Sequence, residues 1–206
     1  VVPKTFYVKE SNPTMAPPYD TWEKAHTNLH EVLPLLMPGC EVCLGEGTIV
    51  VTNQVEIESK ITITGSGIDR TVVRFVKPAT GTNHRVFRLN HADAVVQQMT
   101  ISGGVNAYAY SSYGGGVFID GGSFNMSGGK LNGNAASVED GFGGAVYNNG
   151  TASITGSTFT HSIASLYGKE AFLEQVHQQE RLLEETFDIK PKSFCNTEII
   201  YSDEIG

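Results

Sequence analysis

No apolar run in this chain approaches the ~20 residues that a helix needs to span a bilayer. Basic residues are scarce: 14 Lys and Arg stand against 22 Asp and Glu, for a net charge of −8, and they form no cluster. Nucleic acid and an anionic membrane surface are therefore poor partners. Cysteine is limited to Cys40, Cys43 and Cys195. Cys40-Glu-Val-Cys43 has no second CxxC and no His pair to close a zinc site, so no metal or cofactor is expected. The pair lies in an apolar stretch rather than at a helix start, where a thiol would be activated. It reads as buried or free thiols. A local disulfide is the other reading, and the odd count leaves one thiol over either way. The chain opens Val1-Val2-Pro3 with no Met and no charged-then-apolar leader, which reads as a processed product or a fragment.

Glycine, by contrast, is plentiful, with 23 residues. From Ile101 to Ser165 glycine dominates, and Asp120, Lys130, Glu139 and Asp140 are the only charges. After Leu166 only Gly168 and Gly206 remain, and charges crowd in. One architecture seldom uses two such alphabets. The chain divides into 1–38, an N-terminal strand and capping helix; 39–165, repeat coils; and 166–206, a helix-strand tail.

The Gly-rich part repeats. Residues 122–137 lie over residues 150–165 at an offset of 28 positions, matching Gly122 to Gly150, Gly128 to Gly156, Ala136 to Ala164 and Ser137 to Ser165. Met126 and Ile154, and Leu131 and Phe159, keep apolar character. Upstream, Gly115-Gly-Val-Phe118 lies over Gly144-Ala-Val-Tyr147 at an offset of 29, so a loop gains a residue. Such a period signals stacked units. Short alternating runs such as Val117/Ile119 and Phe124/Met126 mean strand, and Gly, Asn and Ser between them mean turns. A helical repeat would need a 3.6 period and few glycines. Three short strands per repeat fit one coil of a right-handed parallel β-helix, mainly β in class. Less regular coils are expected between Cys43 and Ile101. An open coil end must be covered. Asp20 or Thr21 as N-cap, with Trp22, Ala25, Leu29 and Leu33 on one face, predicts a helix that does so.

Tyr7-Val8, Tyr19-Asp-Thr-Trp22, Asn28-Leu29 and Gly45-Glu-Gly-Thr48 together resemble the N-terminal cap of pectin-lyase-like β-helix proteins. Gly114-Gly-Gly-Val-Phe118 and Gly143-Gly-Ala-Val-Tyr147 resemble the GGA[ILV] repeats of bacterial polymorphic outer-membrane proteins. Those repeats usually pair with FxxN; Phe159-Thr-His-Ser162 keeps the Phe and loses the Asn. These resemblances cover about residues 5–165 and imply a fold rather than an activity.

In the tail, Phe172, Val176, Leu183 and Phe187 predict a helix over 169–187, and residues 193–201 read as a strand. Ser165-Leu-Tyr167, Phe172, Leu183, Phe187, Pro191 and Phe194-Cys-Asn-Thr-Glu-Ile-Ile-Tyr201 resemble the α-amylase branch of family 57 glycoside hydrolases. Cys195 stands where that family usually has Arg. The resemblance implies that Glu198 is a retaining nucleophile. Such an enzyme needs a second carboxyl ~5–5.5 Å away. The family's acid lies on a later strand, beyond Gly206, and its early HQP motif is absent here. The resemblance points to a fusion, a misassembled frame or a truncated relic.

Other candidates are sparse. Asp69/Arg70, Arg74, His84/Arg85 and His91/Asp93 are dense polar groups; the favoured reading is a set of solvated loops, and the other is that stacked coils bring some of them to one face, to meet a sugar acid. Tyr108, Tyr110 and Tyr113 form an aromatic loop that would stack on sugars. The first expectation is a non-catalytic, secreted or cell-surface β-helix domain for adhesion or display, with glycans or surface ligands as partners. The alternative is a polysaccharide-active enzyme: a pectin-lyase-like lyase or hydrolase, if Asp69, Asp93 or Asp120 converges with an Arg in one groove, or an α-amylase-type fragment.

Overall fold

A computed structural model describes residues 4–106, 112–136 and 141–164. They form a parallel β-solenoid of about three turns. All the strand pairings are parallel among the described residues. One sheet begins with Thr5–Val8 and runs through Cys40–Leu44, Ile61–Thr64, Phe87–Gln97 and Val117–Ser127 to Val146–Asn148 and Thr151–Thr155. A second runs from Gly47–Val51 through Thr71–Phe75, Thr100–Ser102 and Lys130–Asn132 to Thr158–Thr160. A third joins Val105–Asn106, Ala135–Ala136 and Ile163–Ala164. Ser112–Tyr113 and Gly141–Phe142 form a two-stranded ladder beside them.

The register reproduces the sequence repeat. Ser123 pairs with Thr151, Met126 with Ile154 and Leu131 with Phe159, each 28 positions apart, and Val117 pairs with Val146 at 29. Alternation sends every second side chain inward, so like stacks on like. Phe6, Val42, Ile63, Val96, Met126 and Ile154 make one inward column. Ile49, Val73, Ile101, Leu131 and Phe159 make the facing one. Every member is buried except in the final rung, where Ile154 is half-buried and Phe159 exposed. That rung lacks a described rung above it, so its inward side chains keep one open side.

Corners also stack. Gln98, Gly128 and Gly156 occupy the same corner in three successive coils at φ of 57°, 53° and 54°. Glycine enters this left-handed region without a Cβ penalty, which is why it recurs there. Asn134 seals a neighbouring corner. It is fully buried, accepts from the Gly104 N–H at 3.1 Å and donates to the Ile101 carbonyl at 3.1 Å. It thus satisfies backbone groups of the coil beneath that a strand-to-strand corner would leave bare.

The capping helix is shorter than expected. Neither Asp20 nor Thr21 starts it; the helix is Leu29–Val32, with Asn28 as N-cap accepting from the His30 N–H at 3.0 Å. The reason lies in the preceding backbone. His26 donates to the Tyr7 carbonyl and accepts from the Lys9 N–H, at 2.8 and 2.9 Å. Those groups are committed to the first strand and cannot serve a helix. Trp22 leans edge-on against Tyr7 and stays partly exposed. Leu29 and Val32 are fully buried and close the first coil as expected. Pro34 follows in a 3-10 turn, Leu33–Leu35, at a position that needs no N–H.

Cys40 is buried and Cys43 half-buried, and burial with Glu41 nearby pushes the Cys43 thiol up. Cys195, the expected helix over 169–187 and the expected strand over 193–201 lie outside the described residues.

Candidate functional site

The second sheet carries a groove of about 460 Å³ on its outer face. Strand alternation builds it. Val73, Ile101 and Leu131 point inward, so their neighbours Val72 and Arg74, Thr100 and Ser102, and Lys130 and Asn132 face out in register. The middle rung holds only small side chains. Thr100 and Ser102 are 5% and 8% exposed, nearly as buried as the core although they face outward. They form the floor of the groove, and Arg74, Lys130, Asp69 and Asn132 form its walls. Thr100 is oriented by donating its hydroxyl to the Ile68 carbonyl. Asn132 accepts from the Thr160 hydroxyl at 3.0 Å. Among the described residues, Arg74, Lys130 and Asp69 take part in no ion pair. The groove therefore offers two uncompensated cations, one carboxylate and a row of hydroxyl and amide groups. That set suits a polar ligand carrying negative charge.

The dense polar groups of the sequence do not gather on one face. Only Asp69 and Arg74 reach this groove. Arg70 pairs with Glu46 instead. Asp93 accepts from the Ser123 hydroxyl at 2.6 Å, and His91 turns the long strand at φ 53° beside Asn90. His84 packs on Phe75 and contacts the Thr82 hydroxyl; burial, then nearby Arg85, pushes its imidazole down. Asp120 pairs with Arg88 at 2.6 Å, and Arg88 also reaches Glu56 at 3.6 Å. The hydrogen bond to Asp120 raises Arg88 further, against the effect of burial. Among the described residues, no group of His, Cys, Asp and Glu is arranged to hold a metal ion.

The Arg88 pair borders an aromatic corner. Tyr113 and Phe142 are register partners, with nearly parallel rings 5.8 Å apart. Tyr147 packs on Tyr113 at 4.4 Å and on Phe118, its partner in the coil beneath, at 5.6 Å. The Arg85 guanidinium lies 4.6 Å from the Phe118 ring centre. Of the three candidate tyrosines, Tyr113 is in this corner. Tyr108 and Tyr110 lie outside the described residues, as does Glu198. Lys130, Thr100, Phe142 and Tyr147 were not singled out from sequence. Only the register of the coils brings them together: Lys130 pairs with Thr100, and Phe142 with Tyr113.

The family model for glycosyl hydrolase family 57 matches residues 144–206. That is less than half of the chain. The match starts before the composition boundary, inside the last coil, and its first part is made of solenoid strands in register with the coil beneath. No curated protein and no solved structure matches the chain. No helix among the described residues is long and apolar enough to cross a membrane.

Proposed function

We propose that this chain is a carbohydrate-associated β-solenoid that binds an acidic saccharide along the groove of its second sheet. The observation that carries this reading is the flanking of a hydroxyl-lined floor, Thr100 and Ser102, by the unpaired cations Arg74 and Lys130. A uronate ring would place its carboxylate between the cations and its ring hydroxyls on Ser102 and Asn132. Charge-assisted hydrogen bonds of this kind are about twice as strong as neutral ones. The domain binds rather than cleaves: Asp69 is the groove's only carboxylate among the described residues, where glycoside hydrolysis uses a pair. Secretion or surface display belongs to the same proposal, because polymeric saccharides of this kind are met outside the cell.

The test is affinity electrophoresis through gels containing polygalacturonate. Retardation that falls about tenfold in Lys130→Gln or Arg74→Gln, and weakens with salt, supports the reading. Equal retardation of the wild type and both variants would overturn it.

A second reading rests on the family match over 144–206. Here the chain is the edge of a glycoside hydrolase, with Glu198 as nucleophile, joined to a pectin-lyase-like coil stack. Starch cleavage by the purified chain that vanishes in Glu198→Gln would establish this reading and displace the binding one.

A further inference from the structure

The aromatic corner differs from the groove in position and in charge. It lies where the first sheet meets the Tyr113–Phe142 ladder, and its ions balance internally. Arg88 is bound to both Glu56 and Asp120, and both Arg85 and Arg88 lie over the Phe118 ring, so the corner holds two cations and two carboxylates. A ligand that meets this set gains nothing from net charge. It gains instead from ring area and from oriented donors and acceptors. Phe142 is 44% exposed although its register partner Tyr113 stacks beneath it. An apolar ring held rigid by a stacked neighbour loses little rotamer freedom when something lies on it. The C–H face of a pyranose is such a partner, being apolar on the face and ringed by hydroxyls.

We propose that this corner is a second glycan site, which takes a neutral hexopyranose unit. Its ring lies on Phe142 and Tyr147. The Arg88–Asp120 pair and the Tyr113 hydroxyl bond its hydroxyls. Two properties separate it from the groove: binding is insensitive to salt, and it is indifferent to Lys130.

The probes are affinity gels cast with a neutral soluble α-glucan, a neutral soluble β-glucan or polygalacturonate, run with the full chain. Retardation by a neutral polymer is expected, about tenfold weaker in Phe142→Ser and unchanged in Lys130→Gln. Phe142 is exposed, so the variant should keep the wild-type melting transition, and circular dichroism checks this. Asp120→Asn provides a second arm that spares the rings. Absence of retardation by either neutral polymer, or retardation that survives both substitutions, would overturn the proposal. So would a self-association abolished by Phe142→Ser with no glycan effect, since the patch would then be a contact between copies. Loss of polygalacturonate binding alone would count against the groove and leave this site standing.

Discussion

Gly122 lies directly over Ala92 as its register partner, so close that a Cβ on Gly122 would sit 2.1 Å from the Ala92 carbonyl oxygen. Its φ is +79°, which L side chains rarely adopt. The two long strands Phe87–Gln97 and Val117–Ser127 bend together at this point. Gly122→Ala must either push the rungs apart or unbend the strand. We expect a loss of more than about 2 kcal/mol in urea unfolding, because the clash is with backbone that cannot move aside. A variant within about 0.5 kcal/mol of wild type, the range of ordinary surface substitutions, would contradict this packing.

Asn134 links two coils through its side chain alone. Asn134→Leu keeps the branching and heavy-atom count, adds the bulk of two methyl groups, and removes the partners of the Gly104 N–H and the Ile101 carbonyl. Leaving buried backbone groups unsatisfied costs about 1–3 kcal/mol each. The variant should unfold at clearly lower denaturant with an unchanged m-value. Hydrogen exchange should show Gly104 losing protection first.

Leu131 and Phe159 hold the same place in adjacent rungs, one fully buried and one 43% exposed. Leu131→Ala should cost about 2–5 kcal/mol, as core truncations do. Phe159→Ala should cost less than half of that. Equal costs in thermal or chemical unfolding would mean that something covers Phe159 in solution.

His30 lies in the capping helix, half-buried, with no hydrogen-bond partner for its Nε2 among the described residues. Burial pushes its imidazole below the ordinary value. The unfolded chain therefore takes up this proton more readily than the folded one. Stability linked to His30 is present above about pH 6.5, the unperturbed value, and is lost as pH falls through the lower folded value. His30→Leu removes that titration. Its Tm should fall less than the wild type's on acidification from about pH 7 to pH 5. Parallel Tm curves for the two proteins would sink the linkage. His84, also held down by burial, keeps some slope in both.

The period of glycine and apolar residues was enough to set the rungs. Val117 over Val146 and Leu131 over Phe159 are read from the alignment and recur as register pairs, because in a parallel stack the only freedom is the loop length between equivalent strands. The helix start was not legible. Asp20 and Thr21 carry the right chemistry for a cap, but the His26 backbone is taken by Tyr7 and Lys9, a pairing between segments nearly twenty residues apart. The candidate sites fell between these cases. Asp69 and Arg74 were visible as polar residues, and Tyr113 as an aromatic one. Their partners Lys130, Phe142 and Tyr147 come from other coils, and each is unremarkable in its own local sequence.

Composition and repeat alone determined that this chain stacks short parallel strands around an apolar interior, since inward positions must match inward positions from coil to coil. Tertiary structure decided which outward residues meet. Outward side chains carry no packing constraint, so Arg74, Thr100 and Lys130 become one groove, and Tyr113, Phe118 and Tyr147 one corner, only once the coils are superposed.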